Sequence, residues 1–185
     1  MMPEIALNIL DVAENSVRAG AALIEISVII STEEDTLTVT ITDDGCGMDA
    51  DQLDKVQDPF YTTRTTRKVG LGIPFFKQAA ECTGGSFSII SEKGRGTAVK
   101  AVFGLSHIDR MPLGDINATV HTLVVFHPST DVIYRYIFND NTFVMDSREL
   151  KQLLGDVPLQ TAEVSKFIRE YLDENKTATD NGIEI

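Results

Sequence analysis

Asp11-Val12-Ala13-Glu14-Asn15-Ser16-Val17-Arg18-Ala19-Gly20-Ala21 is the stretch on which the reading of this chain turns. It is the second half of a run from Ile5 to Gly20 in which Ile5, Ile9, Val12, Ala13 and Ser16-Val17 recur at helical spacing, with Gly20 as a stop. On such a helix Asp11 and Asn15 stand four residues apart and share one face, with Arg18 a further turn along. An amide oxygen suits Mg²⁺, a hard cation that keeps several waters and takes few protein ligands. A carboxylate one turn away is placed to orient or deprotonate an attacking nucleophile.

Outward from this helix, Leu23 to Ile30 alternates Ile24, Ile26, Val28 and Ile30 on one face. After the polar turn Glu33-Glu34-Asp35, Leu37, Val39 and Ile41 alternate with threonines, so the two runs read as a hairpin. Regular structure breaks at Asp43-Asp44-Gly45-Cys46-Gly47-Met48, and a long irregular stretch is expected from there to Gly70-Leu71-Gly72. A helix is expected over Ile73 to Cys82, with Pro74 tolerated in its first turn, and Gly84-Gly85 ends it. Strands follow at Phe87 to Ser91 and Thr97 to Phe103, around the turn Glu92-Lys93-Gly94-Arg95-Gly96.

The chain has 185 residues, 43% of them apolar, and 16 basic against 28 acidic side chains give a net charge of −12. Bulk charge therefore disfavours nucleic acid and anionic membranes as partners. No apolar run approaches the ~20 residues of a membrane span, and Met1-Met2-Pro3-Glu4 lacks a basic leader pattern. Cys46 and Cys82 stand alone, without a CxxC or a neighbouring histidine. A disulfide framework or structural zinc is not expected, and the expected location is the cytoplasm.

Against that acidic background one tract is basic. No acidic residue falls between Asp58 and Glu81, whereas Arg64, Arg67, Lys68 and Lys77 do. A basic, threonine-rich tract leading into a Gly-x-Gly helix start suggests an anion site, because backbone N–H groups at a helix N-terminus point at a phosphate. Asp43 at the end of a strand, followed by Gly45 and Gly47, offers a buried carboxylate to an adenine amino group.

Taken in order, these segments resemble the ATP-binding (Bergerat) fold of the GHKL superfamily, which includes DNA gyrase, heat-shock chaperone, histidine kinase and mismatch-repair ATPases. The Asp11–Ala21 stretch resembles the N box, particularly its mismatch-repair form. Asp43-Asp44-Gly45-Cys46-Gly47-Met48 resembles the G1 box, and Asp58-Pro59-Phe60-Tyr61-Thr62-Thr63-Arg64 the F box of histidine kinases. Gly70-Leu71-Gly72 resembles the G2 box that ends the ATP lid, and Gly94-Arg95-Gly96-Thr97 the closing G3 turn. The five motifs lie within residues 5 to 104.

The resemblance implies ATP and Mg²⁺ as cofactors. Asn15 becomes the metal ligand, Asp43 the adenine contact, and Gly45, Gly47 and Met48 the lining of the base. Gly70, Leu71 and Gly72 face the phosphates, Arg18 stands near them, and Thr62 and Thr97 add contacts. Arg64, Arg67 or Lys68 reaches the γ-phosphate. Asp11 takes the position of the catalytic acid–base residue; many hydrolytic relatives carry Glu there, so this arm is shorter.

Composition shifts near Gly104, which divides the expected ATP-binding domain (1–104) from a small α+β extension (105–185) for docking or homodimerisation. Asp115 is expected to cap a helix closed by Pro128. A hairpin is expected over Val132 to Phe138 and Thr142 to Met145, and Asp146 with Glu149 forms a capping box. A final amphipathic helix is expected over Thr161 to Asn175, with the last ten residues frayed. Ser106-His107-Ile108-Asp109-Arg110-Met111-Pro112-Leu113 resembles a histidine-kinase H box but has Ile108 where that motif has an acid, and it is read as a linker. His121 and His127 are read as packing residues.

The expected fold is an α/β two-layer sandwich, a mixed and mainly antiparallel sheet with helices on one face. The expected function is that of an ATP-binding, histidine-kinase-like regulator that phosphorylates a partner protein. An ATPase and a nucleotide-reading switch are the alternatives, since phosphoryl transfer is mostly positioning and charge neutralisation and one pocket serves all three.

Overall fold

A computed structural model of the chain describes residues 4–56 and 72–185. The expectations for Asp58 to Leu71 (Thr62, Arg64, Arg67, Lys68, Gly70 and Leu71 among them) lie outside the described residues. In chain order the elements are α1 (Ile5–Arg18), β1 (Leu23–Ser31), β2 (Thr36–Asp43), α2 (Ala50–Val56), α3 (Gly72–Glu81), β3 (Ser86–Glu92) and β4 (Gly96–Gly104). They continue with α4 (Ile116–Phe126), β5 (Asp131–Phe138), β6 (Asn141–Asp146), α5 (Ser147–Leu154) and α6 (Ala162–Asp180).

The strands form one sheet in the order β3-β4-β2-β1-β5-β6. Only β1 and β5 run parallel; the other four neighbours are antiparallel. This is the mixed, mainly antiparallel sheet expected from the sequence. Period-two patterning sets its faces. Ile24, Ile26, Val28 and Ile30 of β1 and Leu37, Val39 and Ile41 of β2 are buried under the helices, while Thr36, Thr38, Thr40 and Thr42 face outward. Helices α1, α3, α4 and α6 cover the apolar face.

The first free N–H groups of α1 are satisfied by the chain itself, since Ile5 and Ala6 donate to the carbonyls of Pro112 and Leu113 at 2.9 and 2.8 Å. Leu113 donates in turn to the Ile185 carbonyl at 2.7 Å. The sheet and the buried core both run across residue 104: β5 pairs with β1 along its length, and α4 packs on α1. The division expected there falls between β4 and α4, inside one continuous sheet.

Two expectations are corrected. Ala50–Val56 is helical, with Asp49 and Gln52 exchanging side-chain and backbone hydrogen bonds at its start, where an irregular stretch was expected. No residue of that helix is fully buried, so no apolar stripe announces it. The last helix runs on to Asp180, and the terminus is tied down where fraying was expected. Asp180 is fully buried and accepts from Tyr136 Oη at 2.9 Å, Lys176 Nζ at 2.6 Å and the Gly182 N–H at 2.9 Å. Thr179 and Asp180 are buried there, with Lys176 paired to Asp180, where composition reads solvation.

Candidate functional site

Helix α1 carries the first wall. Its buried residues Ile5, Ile9, Val12 and Ser16 turn to the core, and Asp11, Asn15 and Arg18 lie along the neighbouring edge. Arg18 donates to the Asn15 amide oxygen at 2.6 Å. Asp11 lies against the first residue of α3: a Cβ on Gly72 would collide with the Asp11 carboxylate. A side chain at position 72 would thus force the Asp11 carboxylate to move.

The second wall is the sheet. Asp43 ends β2 and stands opposite Thr97 in the β2/β4 register, and two residues inward Ile41 stands opposite Val99. The Asp43 carboxylate is only 9% exposed. Its Oδ1 accepts the Gly45 N–H at 2.9 Å and its Oδ2 accepts the Ser16 hydroxyl at 2.6 Å. Both donors are neutral. Each carboxylate oxygen has about two acceptor positions, so capacity remains on both for a donor in the space beside them.

The loop after β2 is pinned from three sides. Cys46 N–H donates to the Ala19 carbonyl at 2.9 Å, and the Gly94 N–H donates to the Cys46 carbonyl at 2.7 Å. Ser91 Oγ accepts the Met48 N–H at 2.8 Å and lies 3.0 Å from the Gly96 carbonyl and 2.9 Å from Thr97 Oγ1. Gly47 sits at φ +62°, and a Cβ there would fall on the Glu92 carbonyl, so only glycine lets the loop lie this close to the β3–β4 turn.

Between these walls is a cavity of about 370 Å³. Of the residues expected at the site, it brings together Asn15, Arg18, Asp43, Gly47, Met48, Gly72 and Thr97. Gly45 is set back behind Asp43, and Asp11 is set back behind Gly72; neither lines the cavity. Sequence reasoning missed the apolar walls Val12, Ile41, Ile73 and Val99, together with Ser16 and Ser91. Ile41 and Val99 were signalled only by their alternation with Asp43 and Thr97. Ser16 and Ser91 carried no local signal, because each acts on residues from another element.

The chemistry of this cavity is that of a mostly apolar slot whose wall also carries the Asp43 carboxylate, the Asn15 amide and the Arg18 guanidinium. Such a slot accepts a flat polar ring with an amino group, followed by an anionic tail. Among the described residues no group of three His, Cys, Asp or Glu could hold a metal. The three histidines have protein contacts elsewhere. His107 Nδ1 accepts the Asp109 N–H at 3.2 Å, His121 Nε2 is 2.9 Å from Ser165 Oγ, and His127 Nε2 is 2.8 Å from Glu14 Oε1. No helix among the described residues is long and apolar enough to cross a membrane.

Comparison with known proteins agrees with this geometry. Residues 4–107 match the family described as histidine kinase-, DNA gyrase B-, and HSP90-like ATPase. An autoinducer 2 sensor kinase/phosphatase LuxQ of Vibrio parahaemolyticus is 26% identical over 80% of this chain and 18% of its own length. The sensor histidine kinase ZraS of Escherichia coli is 35% identical over 39% of this chain and 15% of its own. A putative sensor protein of Shewanella frigidimarina is 29% identical over 57% and 16%. The matched part is thus less than a fifth of each relative. A crystal structure of the N-terminal domain of a DNA repair protein superposes with a TM-score of 0.56 at 14% identity, covering 78% of this chain and 52% of that one, which shows a shared fold. With the family matched over more than half its length, this chain belongs to the histidine kinase-, DNA gyrase B- and HSP90-like ATPases, as an ATP-binding domain of the histidine-kinase kind.

Proposed function

We propose that this protein binds Mg-ATP in the cavity between α1 and α3 and transfers the γ-phosphate to a side chain of a partner protein. The observation that carries this reading is the Asp43 carboxylate, held by two neutral donors in the wall of a mostly apolar cavity that Asn15 also lines. Asp43 takes the adenine amino group, Ile41 and Val99 bear the ring, and Met48, Gly47 and Thr97 close around it. Asn15 would hold Mg²⁺, which would supply charge neutralisation to the phosphates when bound. Arg18 moves from Asn15 toward the phosphates, and Gly72, at the start of α3, turns its N–H to them. The lid contacts proposed are Thr62, Arg64, Lys68, Gly70 and Leu71. Asp11 positions the accepting hydroxyl or imidazole. Residues 105–185 are assigned the docking or dimer surface, and the cytoplasm, where ATP is abundant, is the proposed location.

A second reading, an ATP-hydrolysing or purely nucleotide-sensing switch, is favoured by one observation: Asp11 stands behind Gly72 and outside the cavity wall. Incubation with γ-labelled ATP and a lysate of the source cells separates these. A labelled second protein is the expected result. Release of free phosphate alone would replace transfer by hydrolysis, and binding without either would leave the switch.

A further inference from the structure

Ser16 sits immediately after Asn15 on α1, and its side chain is 3% exposed. A serine inside a helix commonly bonds back to the carbonyl four residues earlier. Here the hydroxyl leaves its own helix and donates to Asp43 Oδ2 at 2.6 Å, a short charge-assisted bond between α1 and the end of β2. The other bond to Asp43, from the Gly45 N–H, is local to the loop and holds one oxygen only. A carboxylate held at one point still turns about its last torsion, which is broad for an sp³–sp² bond. The bond from Ser16 stops that rotation.

It also fixes what Ser16 presents. A hydroxyl has one proton and two acceptor positions. With the proton committed to Asp43, the cavity meets only lone pairs from Ser16, which is itself part of the wall. The part of the wall made by Asp43 and Ser16 therefore offers acceptors from both residues and no donor from either side chain.

We infer that Ser16 is a specificity-determining positioning residue, which locks Asp43 and joins it in a two-acceptor surface that selects a purine bearing an exocyclic amino group over one bearing a carbonyl at the same place. The inference rests on the reading of the cavity as an adenine-nucleotide site. Adenine presents an N6 amino donor where guanine and hypoxanthine present an O6 acceptor. An acceptor facing two buried acceptors is left unpaired, and rejection on that ground is stronger than rejection by size.

The test measures dissociation constants by calorimetry for ATP, ITP, GTP and purine riboside triphosphate, which lacks the exocyclic group, in the native protein and in Ser16→Ala and Ser16→Thr. The native chain is expected to prefer ATP. Ser16→Ala is expected to weaken ATP about tenfold, the size of one hydrogen bond to a charged group, and to leave purine riboside triphosphate and ITP within about twofold. Ser16→Thr, which keeps the hydroxyl, is expected to restore the preference. Equal weakening of all four nucleotides in Ser16→Ala, or an unchanged ATP to ITP ratio, overturns the inference while leaving the nucleotide site standing. Failure of the native protein to bind ATP overturns the site itself. If Ser16→Ala does not fold, the Ser16→Thr and Ser16→Cys pair decides: the weak thiol donor must lose the preference that threonine keeps.

Discussion

Two regions of one sheet treat buried carboxylates in opposite ways. Beside β5 and α6, Asp180 is closed off, surrounded by the Tyr136 hydroxyl, the Lys176 ammonium and a backbone N–H, with the ammonium also 5.1 Å from the Tyr136 ring centre. Burial, reinforced by Asp180, pushes the Tyr136 phenol far above its ordinary range, so it stays a donor at every physiological pH. Near it Arg169 links Asp115 and Asp173 at 2.8 Å each, and Asn117 donates to Asp173 at 2.8 Å. At the end of β2, Asp43 receives two neutral donors and faces a cavity. A carboxylate with a cation beside it is finished as a structural element. One held by neutral donors keeps acceptor capacity for something that arrives later.

The largest way to break that contrast is Lys176→Met. It leaves a fully buried Asp180 without its cation, and removal of one partner of a buried pair costs about 3–5 kcal/mol. Thermal unfolding should show a fall of many degrees, and a change within error would mean that Asp180 is not dependent on the pair. Asp43→Asn is the counterpart. It substitutes a donor-bearing amide and is expected to weaken ATP about a hundredfold, with stability altered by only about 1 kcal/mol, because the amide oxygen can keep the Gly45 N–H while the Ser16 hydroxyl accepts from the amide N–H. Calorimetric titration and a melting curve on the same sample check both halves.

Gly47→Ala sharpens the comparison on the loop side. The positive φ and the Glu92 carbonyl together are expected to cost about 1–3 kcal/mol and to displace Met48, so ATP binding should fall more than stability does. Retention of native affinity would show that the loop adjusts freely.

The smallest effect expected is acidic. Burial tends to raise the Asp115 carboxyl, but the Arg169 guanidinium and the Ala118 N–H outweigh it and hold the group below its usual range. The Arg148 guanidinium, partly offset by burial, does the same for Asp146. Groups with folded values depressed in this way contribute stability above the unfolded carboxylate value, and the contribution is lost as pH falls through the lowered folded value. Melting temperatures followed from about pH 5 down to about pH 2 should therefore decline. The decline should be shallower in Arg169→Met, which removes the partner of Asp115; an identical slope would show that Arg169 does not set it.

Much of this was legible in the chain. The strands announced themselves by alternation, α1 and α3 by helical spacing and glycine stops, and the order of the glycine motifs carried the family resemblance. The helix over Ala50–Val56 was not legible, because an exposed helix needs no apolar stripe and is fixed by polar exchange at its start. The last ten residues read as frayed because Lys176 and Asp180 look like solvated charge until they pair with each other and Tyr136 is brought against them.

Local pattern alone determined every element but the Ala50–Val56 helix, together with their order and the residue types later found around the cavity, since helical period, strand alternation and glycine placement all act within a few residues. Tertiary structure decided which groups meet. The register of β2 on β4 set Thr97 opposite Asp43, the packing of α1 carried the Ser16 hydroxyl to a carboxylate 27 residues away, and the approach of α3 put Asp11 behind Gly72. Those contacts join distant parts of the chain, and their geometry exists only once the sheet and its helices have packed.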